Sequence, residues 1–343
     1  MEHRLTAGKL LDLHGHLKEA GYATSLVREY DRAAIKAPKL RIKEWDYYLI
    51  YNDRFGIALT LDDNAYMSML SASILDFEKP WEKTVSPIGV MPMGKTNLPP
   101  TSACGISHLA IGRSEFTFMV RDGVRHLQCR LDNFMDGKPF EADIRLSEEP
   151  QDSMVIATPF PGAPKAFYYN QKIVGMRAAG TVRVGEKMWQ FDPQDSFGLL
   201  DWGRGVWTYS NTWYWGAGHG EVDGHVVGFN IGYGFGDTSA ASENMIFVDG
   251  KAHKFEQVSF NIPKTADGKD DFMSPWTFTS SDGRFEMDFV PVLDRASRTS
   301  VLVIESDQHQ VFGKFTGRMV LDDGTVLELK DFLGFAEKVK NRW

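Results

Sequence analysis

Between Val227 and Phe235 a bulky residue alternates with glycine or asparagine: Val227, Phe229, Ile231, Tyr233 and Phe235 against Gly228, Asn230, Gly232 and Gly234. A period of two fits a β-strand and no helix, because only a strand sends successive side chains to opposite faces. Glycine weakens a strand, so a face nearly bare of side chains needs a physical reason. Either neighbouring rings or backbone pack against it, or a ligand does. The preceding segment, Gly205 to Ala217, read as one strand, places Trp207, Tyr209, Asn211, Trp213 and Trp215 on one face. The other face carries Val206, Thr208, Ser210, Thr212 and Tyr214. Ten of the 39 residues from 197 to 235 are aromatic, against 13% for the whole chain, which marks this stretch as a ring wall beside a glycine face. A tightly packed core and a ring-lined cavity both account for it. Trp and Tyr need partners for N–H and O–H when buried, which favours a cavity over a core of Phe and Leu.

The same alternation recurs along the chain. Lys43 to Tyr51, Phe55 to Leu61 and Tyr66 to Phe77 read as a three-strand meander, and further strands follow from Ile106 to Thr158. Glu78 to Pro100, with five prolines and no periodicity, reads as a long ordered loop. Residues 1–40 read as mostly extended chain with one helical turn. In the second half, strands include His225 to Phe235, Ser300 to Ser306, Gln308 to Leu321 and Val326 to Phe335, separated by Asp-Gly turns. Only the C-terminal tail admits a helical pattern. At 343 residues the chain exceeds one ordinary core, and Pro159 to Pro164 is its strongest break. The expected architecture is therefore mainly β: two tandem antiparallel barrels or sandwiches with little helix, spanning 1–178 and 179–343.

A net charge of −8 and the lack of a basic run argue against nucleic acid as a partner. No stretch is apolar enough for a transmembrane segment, and the N-terminus lacks a secretory signal. Cys104 and Cys129 do not make a disulfide framework and read as buried thiols in a reducing cytoplasm. The pair His14 and His16 has no third ligand in sequence, so no metal site is assigned, and no cofactor motif is present. His219 and His225 read as exposed turn residues. The sequence specifies no oligomeric state.

The charged residues around the ring wall carry the candidate chemistry. Asp201 and Arg204 flank Trp202-Gly203 at the approach to the aromatic strand, and Asp237 and Glu243 follow the glycine strand. Carboxyls beside an apolar, ring-lined cavity are the setting in which an acid retains its proton and donates it. For each acid alone, holding a turn is the simpler role. Trp207, Tyr209, Trp213, Trp215, Asn230 and Tyr233 complete the set as candidate contacts to a lipophilic or aromatic small molecule.

Lys43-Glu-Trp-Asp-Tyr-Tyr48, Gly180-Thr-Val-Arg-Val184, Asp201-Trp-Gly-Arg-Gly205, Asn230 to Asp237, Ser281-Asp-Gly-Arg-Phe285 and Gly334-Phe-Ala-Glu337 resemble the bacterial family known as domain of unknown function 2804. Gly180 to Val184 with Asp201-Trp202-Gly203 is more distantly similar to the carotenoid 1,2-hydratase (hydroxyneurosporene synthase) and lipocalin-like group. Here Asp201 directly precedes Trp202, where that group has intervening residues and often a histidine. This resemblance implies two lipocalin-like (calycin) barrels in tandem and proton donation from a carboxylic acid to an alkene. Asp201 would be the first candidate acid, then Asp237 and Glu243. Arg204 would orient the acid or bind an anionic head group, and the rings would face the cation formed. Three functions follow: a hydratase or isomerase acting on a double bond, a non-catalytic carrier of a lipophilic ligand, and a carbohydrate-active enzyme using Trp faces and paired carboxylates.

Overall fold

The computed structural model describes residues 2–301 and 304–342, so Leu302 and Val303 of the expected strand Ser300 to Ser306 lie outside the described residues. Its regular structure is almost entirely β, in two large curled antiparallel sheets, with single 3₁₀ turns at Arg32–Ala34 and Lys39–Arg41. The expected mainly β class and tandem barrel or sandwich arrangement are what the chain adopts. No helix among the described residues is long and apolar enough to cross a membrane.

The first sheet has at its centre the strands Ile42–Tyr51, Phe197–Val206 and Ala163–Val184, hydrogen-bonded in that order. The second runs from Lys251–Lys254 through Met245–Val248, His225–Tyr233, Ser210–Val222, Val326–Arg342, Ile304–Val320 and Phe285–Val301 to its far edge. Residue 178, near which the sequence placed a boundary, lies inside Ala163–Val184, a strand that pairs with Lys138–Ser147, Met154–Phe160 and Phe197–Val206. The chain passes from one sheet to the other between Val206 and Ser210. The proline-rich run at 159–164 is a tight hairpin, with Gly162 at φ 72 in the turn, and not a linker.

Other local expectations also change. The segment read as a long loop contains Trp81–Val85 and Ile88–Val90, both paired with Met67–Asp76. The C-terminal tail is a strand, Val326–Arg342, fixed by pairing on both edges. Cys104 is exposed, whereas Cys129 is buried.

Three apolar clusters hold the molecule together. One fills the first unit and another the second. The third lies between them: Tyr47, Leu49, Tyr51 and Leu199 of the first sheet meet Trp215, Ala217, Phe312 and Phe335 of the second. Strands at this seam are buried on both faces, which is why Phe197–Val206 has no exposed residue. His219 belongs to the seam and not to a turn. It follows Trp213, Trp215 and Ala217 on one strand face and stacks on Tyr51 with ring centroids 4.2 Å apart. His225 is exposed and pairs with Asp249.

Gly203 shows how closely the seam is fitted. The indole of Trp45 lies directly over it, so an added Cβ would overlap the ring. Replacement by alanine is therefore an overpacking change, with an expected loss of about 1–3 kcal/mol. Chemical denaturation of Gly203→Ala against wild type measures the loss, and the added variant Trp45→Ala should restore part of it.

Candidate functional site

Strand register builds the site from both sides of the seam. In the first sheet Lys172 stands opposite Asp201, and Asp201 opposite Tyr47, forming one row across three strands. Asn170, Gly203 and Trp45 form the next row. In the second sheet Gly232, Trp215, Glu337, Gln310 and Arg295 form a row across five strands. The two rows face each other, so polar side chains separated by up to 290 places in sequence share one buried layer.

At its centre is the ammonium of Lys172. It donates to Glu243 Oε2 at 3.0 Å, Asn170 Oδ1 at 2.7 Å and Tyr168 Oη at 3.1 Å. Asp201 Oδ1 stands 3.6 Å from it, and it lies 4.9 Å from the centroid of Trp215. Asp201 is itself anchored: Trp45 Nε1 donates to Oδ2 at 3.0 Å and Asn170 Nδ2 to Oδ1 at 2.6 Å. Glu243 comes from the segment after the glycine strand, and its carboxyl is seated against Gly232, where a Cβ would approach to 2.9 Å. Asn230 fixes the same segment, donating to the Glu243 carbonyl at 2.7 Å and accepting from Trp215 Nε1 at 2.8 Å. Burial alone would pull the Lys172 ammonium down, but Asp201 and Glu243 outweigh it and hold it above the ordinary lysine value.

A second polar group adjoins the first. Glu337 accepts from Trp213 Nε1 at 2.9 Å and from Gln310 Nε2 at 3.1 Å, and Gln310 in turn accepts from Arg295 at 2.8 Å. Burial pushes the Glu337 carboxyl up to about 7, and the charge of Asp201 adds to this against the bond from Trp213. Burial likewise raises Tyr47, which lies in the same layer, to about 12.

The rings close the layer. Trp45 packs on Tyr168 and Trp207, and Phe235 on Tyr168, Trp207 and Trp213, with centroids 4.7 to 6.1 Å apart. Trp45 and Trp213 remain partly exposed, so solvent reaches the edge of this cluster.

The sequence-chosen residues thus separate into two groups. Asp201, Glu243, Trp207, Trp213, Trp215 and Asn230 are brought together at the seam. Arg204 is not: one residue out of phase with Gly203, it points into the first unit and donates to Asp46 at 3.0 Å and to the Pro99 carbonyl at 2.9 Å. It cannot orient Asp201 from there. Asp237 caps its own turn, accepting from the Ser239 backbone N–H at 2.9 Å, and that bond lowers its carboxyl. Tyr233 faces the interior of the second unit, stacked on Tyr214. Trp207 and Tyr209 lie in the connection between the sheets and not in the strand, which begins at Ser210, and Tyr209 is 42% exposed. The glycine face is covered by protein: Gly228 by Val174 and Gly232 by Glu243.

Lys172, Asn170, Tyr168, Tyr47 and Gln310 escaped the sequence reading. The available signal was the alternation Tyr168, Asn170, Lys172 between the apolar pairs Ala166-Phe167 and Ile173-Val174. A lysine in such a run is buried only when paired.

These features define a class: tandem antiparallel β units whose contact layer carries buried ionisable groups among aromatic rings. The chain belongs to the family described as domain of unknown function (DUF2804), which matches residues 2–343. No curated protein sequence matches it. Among solved structures it is similar to CghA with Sch210972, at 12% identity over 98% of this chain and 97% of that one, TM-score 0.55. It is also similar to kievitone hydratase from Nectria haematococca, at 12% identity over 98% of each chain, TM-score 0.51. A candidate AttH from Nitrosomonas europaea matches at 12% identity over 90% of this chain and 96% of that one, TM-score 0.54. At these identities the likeness is one of fold.

Two outcomes follow from the geometry. Lys172→Met leaves Asp201 and Glu243 buried without their cation, with an expected cost of about 3–5 kcal/mol in urea denaturation at pH 7. Adding Asp201→Asn and Glu243→Gln to that variant should recover much of it. Glu337 loses its proton near 4.5 in the unfolded chain and near 7 in the folded one. Its contribution to stability is therefore full below pH 4.5 and is lost as pH rises through 7. Glu337→Gln, which cannot ionise, should gain on wild type by on the order of 3 kcal/mol between pH 4 and 8.

Proposed function

We propose that the chain binds a lipophilic small molecule at the seam between its two sheets and carries out proton-transfer chemistry on a double bond of that molecule. The observation that carries this reading is the Lys172 ammonium held by two carboxylates, Asp201 of the first sheet at 3.6 Å and Glu243 of the connection before Met245–Val248 at 3.0 Å, behind a layer of indole and phenol rings. Ionisable groups gathered in a buried, ring-lined layer are a setting for acid–base work. Asp201 is held in a fixed orientation by Trp45 and Asn170, and Glu337 is the carboxyl that burial raises to about 7. Trp213 and Trp215 supply ring faces for an apolar substrate and for positive charge developing on it. Two fold neighbours support this reading: one is named a hydratase and another was solved with Sch210972.

A carrier without catalysis is the second reading. It is favoured by one specific feature, that both Asp201 oxygens and three contacts of the Lys172 ammonium are already taken up by protein groups. A sugar-cleaving site is less well supported, because it needs two carboxyls across an open groove, and here Asp201 and Glu243 share one ammonium.

Native mass spectrometry of the purified protein, followed by extraction, should reveal a retained apolar molecule of defined mass. Asp201→Asn should retain the same molecule in unconverted form, so that its mass or double-bond position differs from that held by wild type. An identical molecule in both proteins would favour the carrier. Recovery of no molecule from either, together with no binding of isoprenoid-like or polyketide-like compounds, would sink both.

A further inference from the structure

The ring cluster around Trp45 and Trp213 is closely packed, which raises the question of how a ligand reaches Lys172. At the other end of the same seam the two units leave a cleft of about 300 Å³. Its walls are the loop Glu148 to Gln151 of the first unit and the turn Asp249-Gly250 of the second, and its floor is Val174, Gly175, Val226, Gly228 and Phe247. Val174 and Phe247 are buried, and Val174 rests on Gly228, where an added Cβ would approach its Cγ1 to 2.8 Å. Gly175, at φ 91, forms the bulge at which the strand's register shifts against Phe197–Val206. A bulge locally ends regular pairing and re-aims the chain, a device common beside functional sites.

The position of this floor connects it to the site. Val174 follows Lys172 by two residues on one strand face, and Gly228 precedes Asn230 by two on the facing strand. Two residues of strand span about 7 Å. The Val174–Gly228 contact is therefore the one layer of side chains separating the cleft from the Lys172, Asn230 and Glu243 network.

We infer that this cleft is the ligand-binding mouth of the seam site, with Val174 on Gly228 as its plug, and that it takes an uncharged apolar molecule. The inference rests on the reading of the seam as a small-molecule site and adds its access route and its selectivity. The lining supplies the ligand class. Its floor is apolar, and its charged members, Glu148, Glu149 and Asp249, are all acids with no lysine or arginine among them. Each is paired with a base that is not itself in the lining: the buried Arg125 stands 2.8 Å from Glu149, Arg177 3.9 Å from Glu148, and His225 2.7 Å from Asp249. An anionic ligand would meet carboxylates at close range and find no compensating cation in the lining.

Gln151 is exposed and lines the mouth, so Gln151→Trp fills the opening without touching a core. The test is fluorescence titration of the full-length protein with Nile red, which is uncharged, and with 1-anilinonaphthalene-8-sulfonate, which is an anion. Wild type should bind Nile red at least tenfold more tightly than the anion. Gln151→Trp should weaken Nile red at least tenfold with an unchanged thermal midpoint. Glu149→Gln combined with Asp249→Asn should narrow the preference between the two probes. Asp267→Asn, at an exposed residue outside the cleft's lining, should bind Nile red as wild type does. Three results would overturn the assignment: no Nile red binding by wild type, binding indifferent to Gln151→Trp, or tighter binding of the anion. Loss of binding in Asp201→Asn but not in Gln151→Trp would likewise remove the cleft while leaving the seam site standing.

Discussion

The contact between the two sheets is the constraint on which the rest of the molecule depends. Each unit has its own interior, but each also presents a second apolar face, and those faces are buried only against each other. Burying Tyr47, Leu199, Trp215, Phe312 and Phe335 there removes a large apolar area from water, which is the main term favouring the tandem arrangement. The same burial has a consequence for every polar group in the layer. Water is excluded, so Lys172, Asp201, Glu243 and Glu337 must find partners within the protein or change protonation state. Lys172 does the first and Glu337 inclines to the second.

Seen this way, the glycines and tryptophans serve one geometric purpose. Gly203 admits the indole of Trp45, and that indole's N–H holds Asp201. Gly232 admits the carboxyl of Glu243, which reaches Lys172 from the opposite sheet. Removing side-chain volume at two strand positions makes room for a ring and a carboxyl in the layer where the two sheets meet. The cost is a weaker strand at each glycine, offset by the tryptophan and carboxylate seated there. The ring wall read from the sequence is in this sense neither simple core nor open pocket. It packs around a charged centre.

That arrangement links stability to function. A buried ammonium between two carboxylates contributes little net stability compared with an apolar replacement of equal volume, but loss of any one partner is costly. Such a group is retained more readily where its chemistry is used. The acid-lined cleft at the seam's far end is where the proposed ligand would approach Lys172.

The sequence by itself determined the fold class, because period-two alternation and Asp-Gly turns are local properties that each strand carries alone. It also singled out Asp201, Glu243, Trp213, Trp215 and Asn230, since aromatic and glycine density is visible without a structure. It grouped Arg204 and Asp237 with them because proximity along the chain says nothing about which face of a strand a side chain takes: Arg204 is one residue out of phase with the seam, and Asp237 is occupied by its own turn. It missed Lys172, Tyr47 and Gln310 because their meaning lies in pairings across strands distant in sequence. Only the tertiary structure decided those, along with the passage between sheets at residues 207–209. Strand order and sheet packing are set by the burial of whole faces, a property that no local segment possesses.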